Sequence, residues 1–423
     1  MKRKSLIALL IIMGMSAMTG CGKTTQSTKV ENLTQDLDTS ISTDYDEQNS
    51  DSVEKFSYQL FSENMEETNP VLSPVSAYLA LTMAGVGADG NTRQEFNSLL
   101  GEDMLDVSHD LMNSLSENDK TDNGELSLSL ANSAWLEEGF EADKEWLDTV
   151  KSLMDADVYR TALSTQDAKN AMNQWISEKT KGLIPTLLSE PLSEDARLAL
   201  FNTIYFKGNW EQTFNKAENE KFKKEDGTQV KAKMMHIDYE CFDYVENDVA
   251  RGVFMNYKTI TDASGHYAML ALLPKDDMSV RDMYENLTQD SDFIHTLAEQ
   301  KDYKSVNLSF PKFEITYEKT LNDSLINMGL KDAFDEKSAD FSLLSPSDDR
   351  LYISTILQKA VVNVDEEGTE AAAVTAVLFE TTSLGPSEVP IEVYFDRPFL
   401  YMIVDMDQEI PLFIGIMDNP EEQ

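Results

Sequence analysis

Apolar residues recur with two different periods along this chain, and the order in which those periods follow one another sets its architecture. From Val53 to Met65, the positions Val53, Phe56, Leu60 and Phe61 share one helical face, and Ser73-Pro74-Val75-Ser76 has the small polar cap and early proline that open a second helix. Leu126 to Trp135 alternates apolar and polar as a half-buried strand does, Asp167 to Lys181 returns to the helical period, and Arg197 to Tyr205 is strand-like again. Further strands are predicted at Tyr267 to Leu273, Val306 to Phe313 and Val361 to Val364, with a C-terminal pair around Tyr401 and Leu412. Helices and long strands mix without strict alternation, so the class is α+β rather than a doubly wound sheet.

Ahead of Val53 the pattern changes. Lys2, Arg3 and Lys4 precede an apolar run from Ser5 to Ala17 that is too short for a stable transmembrane helix, so residues 1–20 read as a signal peptide. The run ends in Met18-Thr19-Gly20-Cys21, which resembles the bacterial lipobox, with Met18 where Leu, Val or Ile is usual. That resemblance implies a diacylglycerol on Cys21 and a place on the outer side of a bacterial cell envelope, anchored or secreted. Residues 21–52, rich in Thr, Ser, Gln, Asp and Asn, are expected to form a flexible polar tether. With no repeat and no second linker, residues 53–423 read as one domain.

Composition serves mainly to exclude. A formal charge of -41, from 76 acids against 35 bases, repels nucleic acid and sulfated polysaccharides, so neither DNA nor heparin is an expected partner. Two cysteines, Cys21 and Cys241, make no disulfide framework, and Cys241 is expected to be a buried small apolar group. His109, His236, His266 and His295 are scattered, and no H-E-x-x-H or EF-hand loop occurs, so no metal site and no cofactor are expected. Ser309-Phe310-Pro311-Lys312 fits the S-x-x-K pattern of one hydrolase class. No K-T-G or S-D-N follows it, Pro311 opposes the helix that such a serine needs, and no G-x-S-x-G is present, so the chain does not read as an enzyme.

Several stretches, in order, resemble the serpin family. They are Asn69-Pro70-Val71-Leu72-Ser73-Pro74-Val75-Ser76, Gly87-Ala88-Asp89-Gly90-Asn91-Thr92, Asn202-Thr203-Ile204-Tyr205-Phe206-Lys207-Gly208-Asn209-Trp210, Leu308-Ser309-Phe310-Pro311-Lys312-Phe313, Asp396-Arg397-Pro398-Phe399 and Pro411-Leu412-Phe413-Ile414-Gly415. The resemblance implies a monomeric domain of about nine helices and three β-sheets, with an exposed reactive-centre loop and a main sheet that accepts an extra strand. It places Trp210 where that strand enters, and Ser73, Ser76, Asn202 and Gln358 where the sheet opens. Gln358 replaces the histidine usual in that cluster, so the hydrogen bonding there must differ.

Asp365-Glu366-Glu367-Gly368-Thr369-Glu370-Ala371-Ala372-Ala373-Val374-Thr375 resembles the hinge of inhibitory serpins. Its physics agrees: Gly368 supplies a pivot, and the residues after it are small and free of proline. As a strand, it would turn Thr369, Ala371, Ala373, Thr375, Val377 and Phe379 to one face, all uncharged, while Glu370 and Glu380 face the other way. Gly385-Pro386 and Pro390 end any such strand. The family's spacing from hinge glycine to cleaved bond falls on Thr382, with Ser383 across the bond. No Lys or Arg lies between Lys359 and Arg397, which disfavours trypsin-like targets and suits serine proteases with shallow pockets, elastase-like or subtilisin-like. The alternative is a non-inhibitory serpin acting as a surface binding protein.

Overall fold

The computed structural model describes residues 29–39, 51–117, 126–258, 266–275, 278–347, 350–369 and 389–421. Cys21, the loop from Glu370 to Thr375, and Thr382 and Ser383 lie outside the described residues. In chain order the first half comprises β1 (Glu31–Asn32), α1 (Asp51–Ser62), β2 (Val71–Leu72), α2 (Pro74–Val86), α3 (Gly90–Leu100), α4 (Met104–Glu117), β3 (Leu126–Glu137), α5 (Lys144–Met154), β4 (Asp157–Thr161), α6 (Gln166–Lys179) and β5 (Leu198–Asn209). The second half comprises β6 (Glu218–Lys223), β7 (Gln229–Glu246), β8 (Ala250–Asn256), β9 (Tyr267–Pro274), α7 (Val280–Leu287), α8 (Phe293–Gln300), β10 (Asp302–Thr320), α9 (Asn322–Asn327), β11 (Ile353–Val364), β12 (Gly368–Thr369), β13 (Ile391–Tyr394), β14 (Phe399–Asp405) and β15 (Ile410–Met417).

The strands form one hydrogen-bonded path, β1-β4-β3-β5-β12-β11-β10-β7-β8-β9-β14-β15-β2, with β13 added to β10 and β6 to β7. The three sheets implied by the sequence are therefore joined, because two long strands change partners along their length. β10 pairs with β7 and β13 through its first half and with β11 from Phe313 onward. Pro311 sits at that exchange: β13 has ended at Ser309 and β11 begins at Phe313, so on that side the N–H a proline lacks has no ladder to serve. This explains how a strand predicted to end at Phe313 continues to Thr320.

Local signals set the helices. α2 has Pro74 in its first turn and is apolar on nearly all sides, so it is buried in the centre of the molecule. α5 is capped by Asp143, whose carboxylate accepts the N–H groups of Glu145 and Trp146, and it stops where Asp155 turns left-handed at φ 47°. α6 is capped by the Thr165 hydroxyl and lays Ala168, Met172, Trp175 and Ile176 on one face of the main sheet, over Trp135, Ala199 and Phe201.

Two expectations need correction. Part of the supposed free tether is docked: Glu31 and Asn32 pair antiparallel with Arg160 and Tyr159 of β4. The Thr34 hydroxyl accepts the Val158 N–H at 3.1 Å, and Arg160 holds Glu31 at 2.8 Å. The edge of β4 offers unpaired backbone groups, and even a polar segment can satisfy those. Cys241 is half-buried rather than buried, because it lies on β7 opposite Ser305, on the face turned away from Phe242 and the core.

Candidate functional site at the open end of the main sheet

β5 and β11 are parallel neighbours at one end of the main sheet, where Leu198 to Asn202 pair with residues from Ile353 to Gln358. At the other end they part, and β12 fills the space between them. Gly368 and Thr369 pair antiparallel with Asn209 and Gly208 on one side, while Thr369 pairs with Val364 on the other. The hinge is thus already seated as the first step of a new strand.

A tight turn delivers it there. The Asp365 carboxylate accepts the N–H groups of Glu367 at 2.9 Å and Gly368 at 3.2 Å, and the Asp365 N–H donates to the Gly368 carbonyl. Gly368 has no room for a side chain, since a Cβ would come within 2.1 Å of the Gly208 carbonyl oxygen. Close backbone approach is therefore a reason for the glycine in addition to the pivot inferred from sequence.

Trp210 locks the turn from beneath. Its indole N–H donates to the Asp365 carbonyl at 3.0 Å and its backbone N–H to the Glu367 carbonyl at 2.8 Å. Glu366 points the other way, with one carboxylate oxygen 2.7 Å from Lys312 Nζ and the other accepting the Ala217 N–H. Burial pushes this carboxyl up, but Lys312 and the backbone donors outweigh that and hold it below the usual carboxylate range. Lys312 is thereby committed to the hinge, so the S-x-x-K spacing brings together no nucleophile and base: Ser309 is buried on β10.

Thr369 is 2% exposed, and its hydroxyl is 2.7 Å from the Tyr257 hydroxyl. Tyr257 stacks on Trp210 with ring centroids 4.5 Å apart and planes 16° from parallel. Burial pushes the Tyr257 phenol well up, so it remains a neutral hydrogen-bonding group.

Farther down, the structure brings Ser73, Ser76, Asn202 and Gln358 together beneath the closed half of the sheet. Gln358 does not pair with Asn202 through its side chain. Its amide grips the backbone of Ser73 from both ends, donating to the carbonyl at 2.7 Å and accepting the N–H at 2.9 Å, which binds β11 to the start of α2. Asn202 donates instead to Asn132 on β3. The Ser73 and Ser76 hydroxyls, Asn132 Nδ2 and Asn202 Oδ1 are buried with no partner among the described residues, as is the Thr203 hydroxyl on the opposite face of β5.

Sequence reasoning missed Tyr257, Lys312 and Asn132 as parts of this site. Lys312 lay inside a recognised stretch but was read only as strand; a cation beside a proline in an apolar run was the available signal. Tyr257 follows β8 with nothing local to set it apart. Among the described residues, no group of three His, Cys, Asp or Glu is placed to hold a metal ion.

Comparison with known proteins fits this geometry. The model of the serpin family, serine protease inhibitors, matches residues 51–420. The chain is 31% identical over 387 residues to a human (Homo sapiens) leukocyte elastase inhibitor, covering 88% of this chain and all of that one. It is 33% identical over 363 residues to Iripin-2 of Ixodes ricinus, covering 82% and 87%. Among solved structures, the thermophilic serpin Tengpin in its native state superposes with a TM-score of 0.83 at 28% identity, over 92% of this chain and all of that one. Thyroxine-binding globulin in complex with thyroxine gives 0.75 at 25% identity, over 88% and 100%. A seated hinge between two parting strands and a family match over residues 51–420 lead to one conclusion: this protein belongs to the serpin family.

Proposed function

We propose that this serpin is a suicide-substrate inhibitor of serine proteases with shallow specificity pockets, elastase-like or subtilisin-like, and that it acts by inserting its cleaved loop between β5 and β11. The protease serine attacks the Thr382 carbonyl, the bond to Ser383 breaks, the new amine leaves, and an acyl-enzyme remains. The freed segment then extends β12 down the sheet by about thirteen residues, about 43 Å at ~3.3 Å each, carrying the protease and distorting its active site before water can release it.

The observation that carries this reading is the double pairing of Thr369, with Gly208 on one side and Val364 on the other. Carried down both neighbours, that register sets Ala371 opposite Phe206, Ala373 opposite Ile204, and Thr375 between Asn202 and Gln358. Thr375 would thus bring a hydroxyl to the face of the sheet where Asn202 Oδ1 lacks a partner among the described residues. An unpaired buried polar atom costs about 1–3 kcal/mol, so insertion has a free-energy gain to collect there beyond its own ladder.

The test is incubation with elastase-like and subtilisin-like proteases, followed by a denaturing gel for a covalent complex and mass spectrometry of the released peptide. A complex with cleavage after Thr382 is expected, and Thr382→Arg should transfer activity to trypsin. Cleavage more than two residues away would overturn the Thr382 assignment, and turnover with no complex would overturn the mechanism. We further propose that Cys21 carries a lipid, so that Cys21→Ala releases the protein from the membrane fraction.

A further inference from the structure

We propose that the lipid anchor holds this protein by the pole of its main sheet opposite the hinge, so that the loop faces away from the membrane and a trapped protease is carried toward it. The inference rests on the two readings above, loop insertion and acylation of Cys21, and it adds a direction to each.

Strand polarity supplies the direction. β5 runs from Leu198 at the closed end to Asn209 beside the hinge, β3 is antiparallel to it, and β4 is parallel to β3. β4 lies beside Ser133 to Glu137, which in turn lie beside Leu198 to Phe201, so it belongs to the closed end. β1 is antiparallel to β4 and therefore runs from the closed end toward the hinge. Lys29 and Val30, the first described residues, consequently lie on the closed-end side of Glu31. Val30 packs against the apolar cluster there, beside Trp135, Ala199 and Phe201.

Docking also shortens the leash. A free tether of about thirty residues would spread over about 30 Å and impose no orientation. With Glu31 fixed, about ten residues separate the domain from Cys21, a reach of at most about 35 Å fully extended.

The loop's other attachment lies at the opposite pole. Ile391 pairs with Val306, well up β10 from Phe313, the partner of Val364 beside the hinge, and Val389 just before it is 89% exposed. At the far end, the insertion register places Thr382 opposite Asp195, just beyond Leu198 and level with the pole from which the leash leaves. A protease joined to Thr382 would therefore travel from the pole facing the surroundings to the pole facing the membrane.

The experiment uses the lipidated full chain in vesicles containing an acceptor-labelled lipid. Cys241→Ser with Val389→Cys carries one donor dye, and donor-labelled protease is added separately to the unlabelled protein. Flotation reports anchoring and a denaturing gel reports the covalent complex, so failure of either underlying reading is seen by itself. Should Cys21 carry no lipid, coupling it to a maleimide lipid in the Cys241→Ser background asks the same question of the pole. The Val389 donor is expected to transfer weakly before cleavage, and the protease donor is expected to transfer about threefold more once trapped than in unanchored controls. Undocking β1 with Val30→Ser, Glu31→Ala and Thr34→Ala should raise transfer from Val389 as the domain turns on the longer leash. Strong transfer from Val389 in the docked protein, or a complex whose protease shows no gain, would overturn the proposal.

Discussion

The two ends of the strip between β5 and β11 are built on opposite terms. At the hinge end, Gly368 and Thr369 fill the space, the turn and both carboxylate oxygens of Glu366 find donors, and the Thr369 hydroxyl finds Tyr257. At the closed end, β5 and β11 meet directly, Gln358 is used up on Ser73, and a group of buried polar atoms has no partner among the described residues. One end is finished and the other is provisional. On the insertion mechanism proposed above, such a sheet would have its nucleus for strand addition in place and unmet hydrogen-bonding demand ahead of it, so addition would start at the hinge end.

The contrast breaks most severely at Thr369. Because Thr369 is already seated in the native fold, Thr369→Arg should first unseat the two-residue β12, and re-seating it for insertion would bury an unpaired cation between the strands at a cost of several kcal/mol, more than tenfold in any partition that depends on insertion. The variant should fold, be cut near Thr382 and release active protease, as read by the stoichiometry of inhibition; an unchanged stoichiometry would remove insertion as the mechanism. Gln358→Leu attacks the other end. It strands the buried Ser73 N–H, about 1–3 kcal/mol, while the Ser73 carbonyl keeps the Ala77 N–H, and it should lower the native melting temperature by a few degrees while speeding complex formation, because β11 is no longer bound to α2. Slower trapping would show that Gln358 guides the entering strand instead.

Smaller effects sharpen the picture. Tyr257→Phe leaves the Thr369 hydroxyl without its partner, worth about 1 kcal/mol, and should slow trapping a few-fold in stopped-flow assays with the fold intact. Lys312→Met removes a pair whose members are 37% and 24% exposed, so solvent screening limits the loss to below about 1 kcal/mol. Its signature lies in pH. The Glu366 carboxyl is held below its ordinary value, so its contribution is complete above the unfolded pKa and is lost as pH falls through the folded one. Stability of the wild type measured against acid should show that decline, and the variant should show less of it.

Much of this arrangement was legible in sequence where chemistry is local. The small, uncharged inward positions, the glycine three residues past Asp365 and the Ser-Pro opening of α2 each state their own requirement. The partners were not legible. Lys312 and Glu366, or Tyr257 and Thr369, are far apart in sequence and meet only through strand register, the first pair through β10, β11 and β12 and the second through β12 and the bridge from Tyr257 to Trp210, which no single segment encodes. Docking of residues 29–39 escaped for a related reason. Glu31 and Asn32 are poor strand formers, and what makes them a strand is the open edge of β4 rather than any pattern of their own.

The place of the last strand has a consequence for how the molecule is made. β15 lies between β14 and β2, pairing Ile414 with Leu72 and Gly415 with Val71, so residues near the start of the domain wait for residues near its end. Loop closure over nearly the whole chain is slow relative to local helix formation. A chain emerging from synthesis or export can build α1, α2 and the β3–β5 pairing early, but it cannot close the last sheet until its final strand is free. On the insertion mechanism proposed above, the segment after Thr369 would compete during that interval for the gap it is later to fill, so the order of arrival would decide which form the newly made protein adopts.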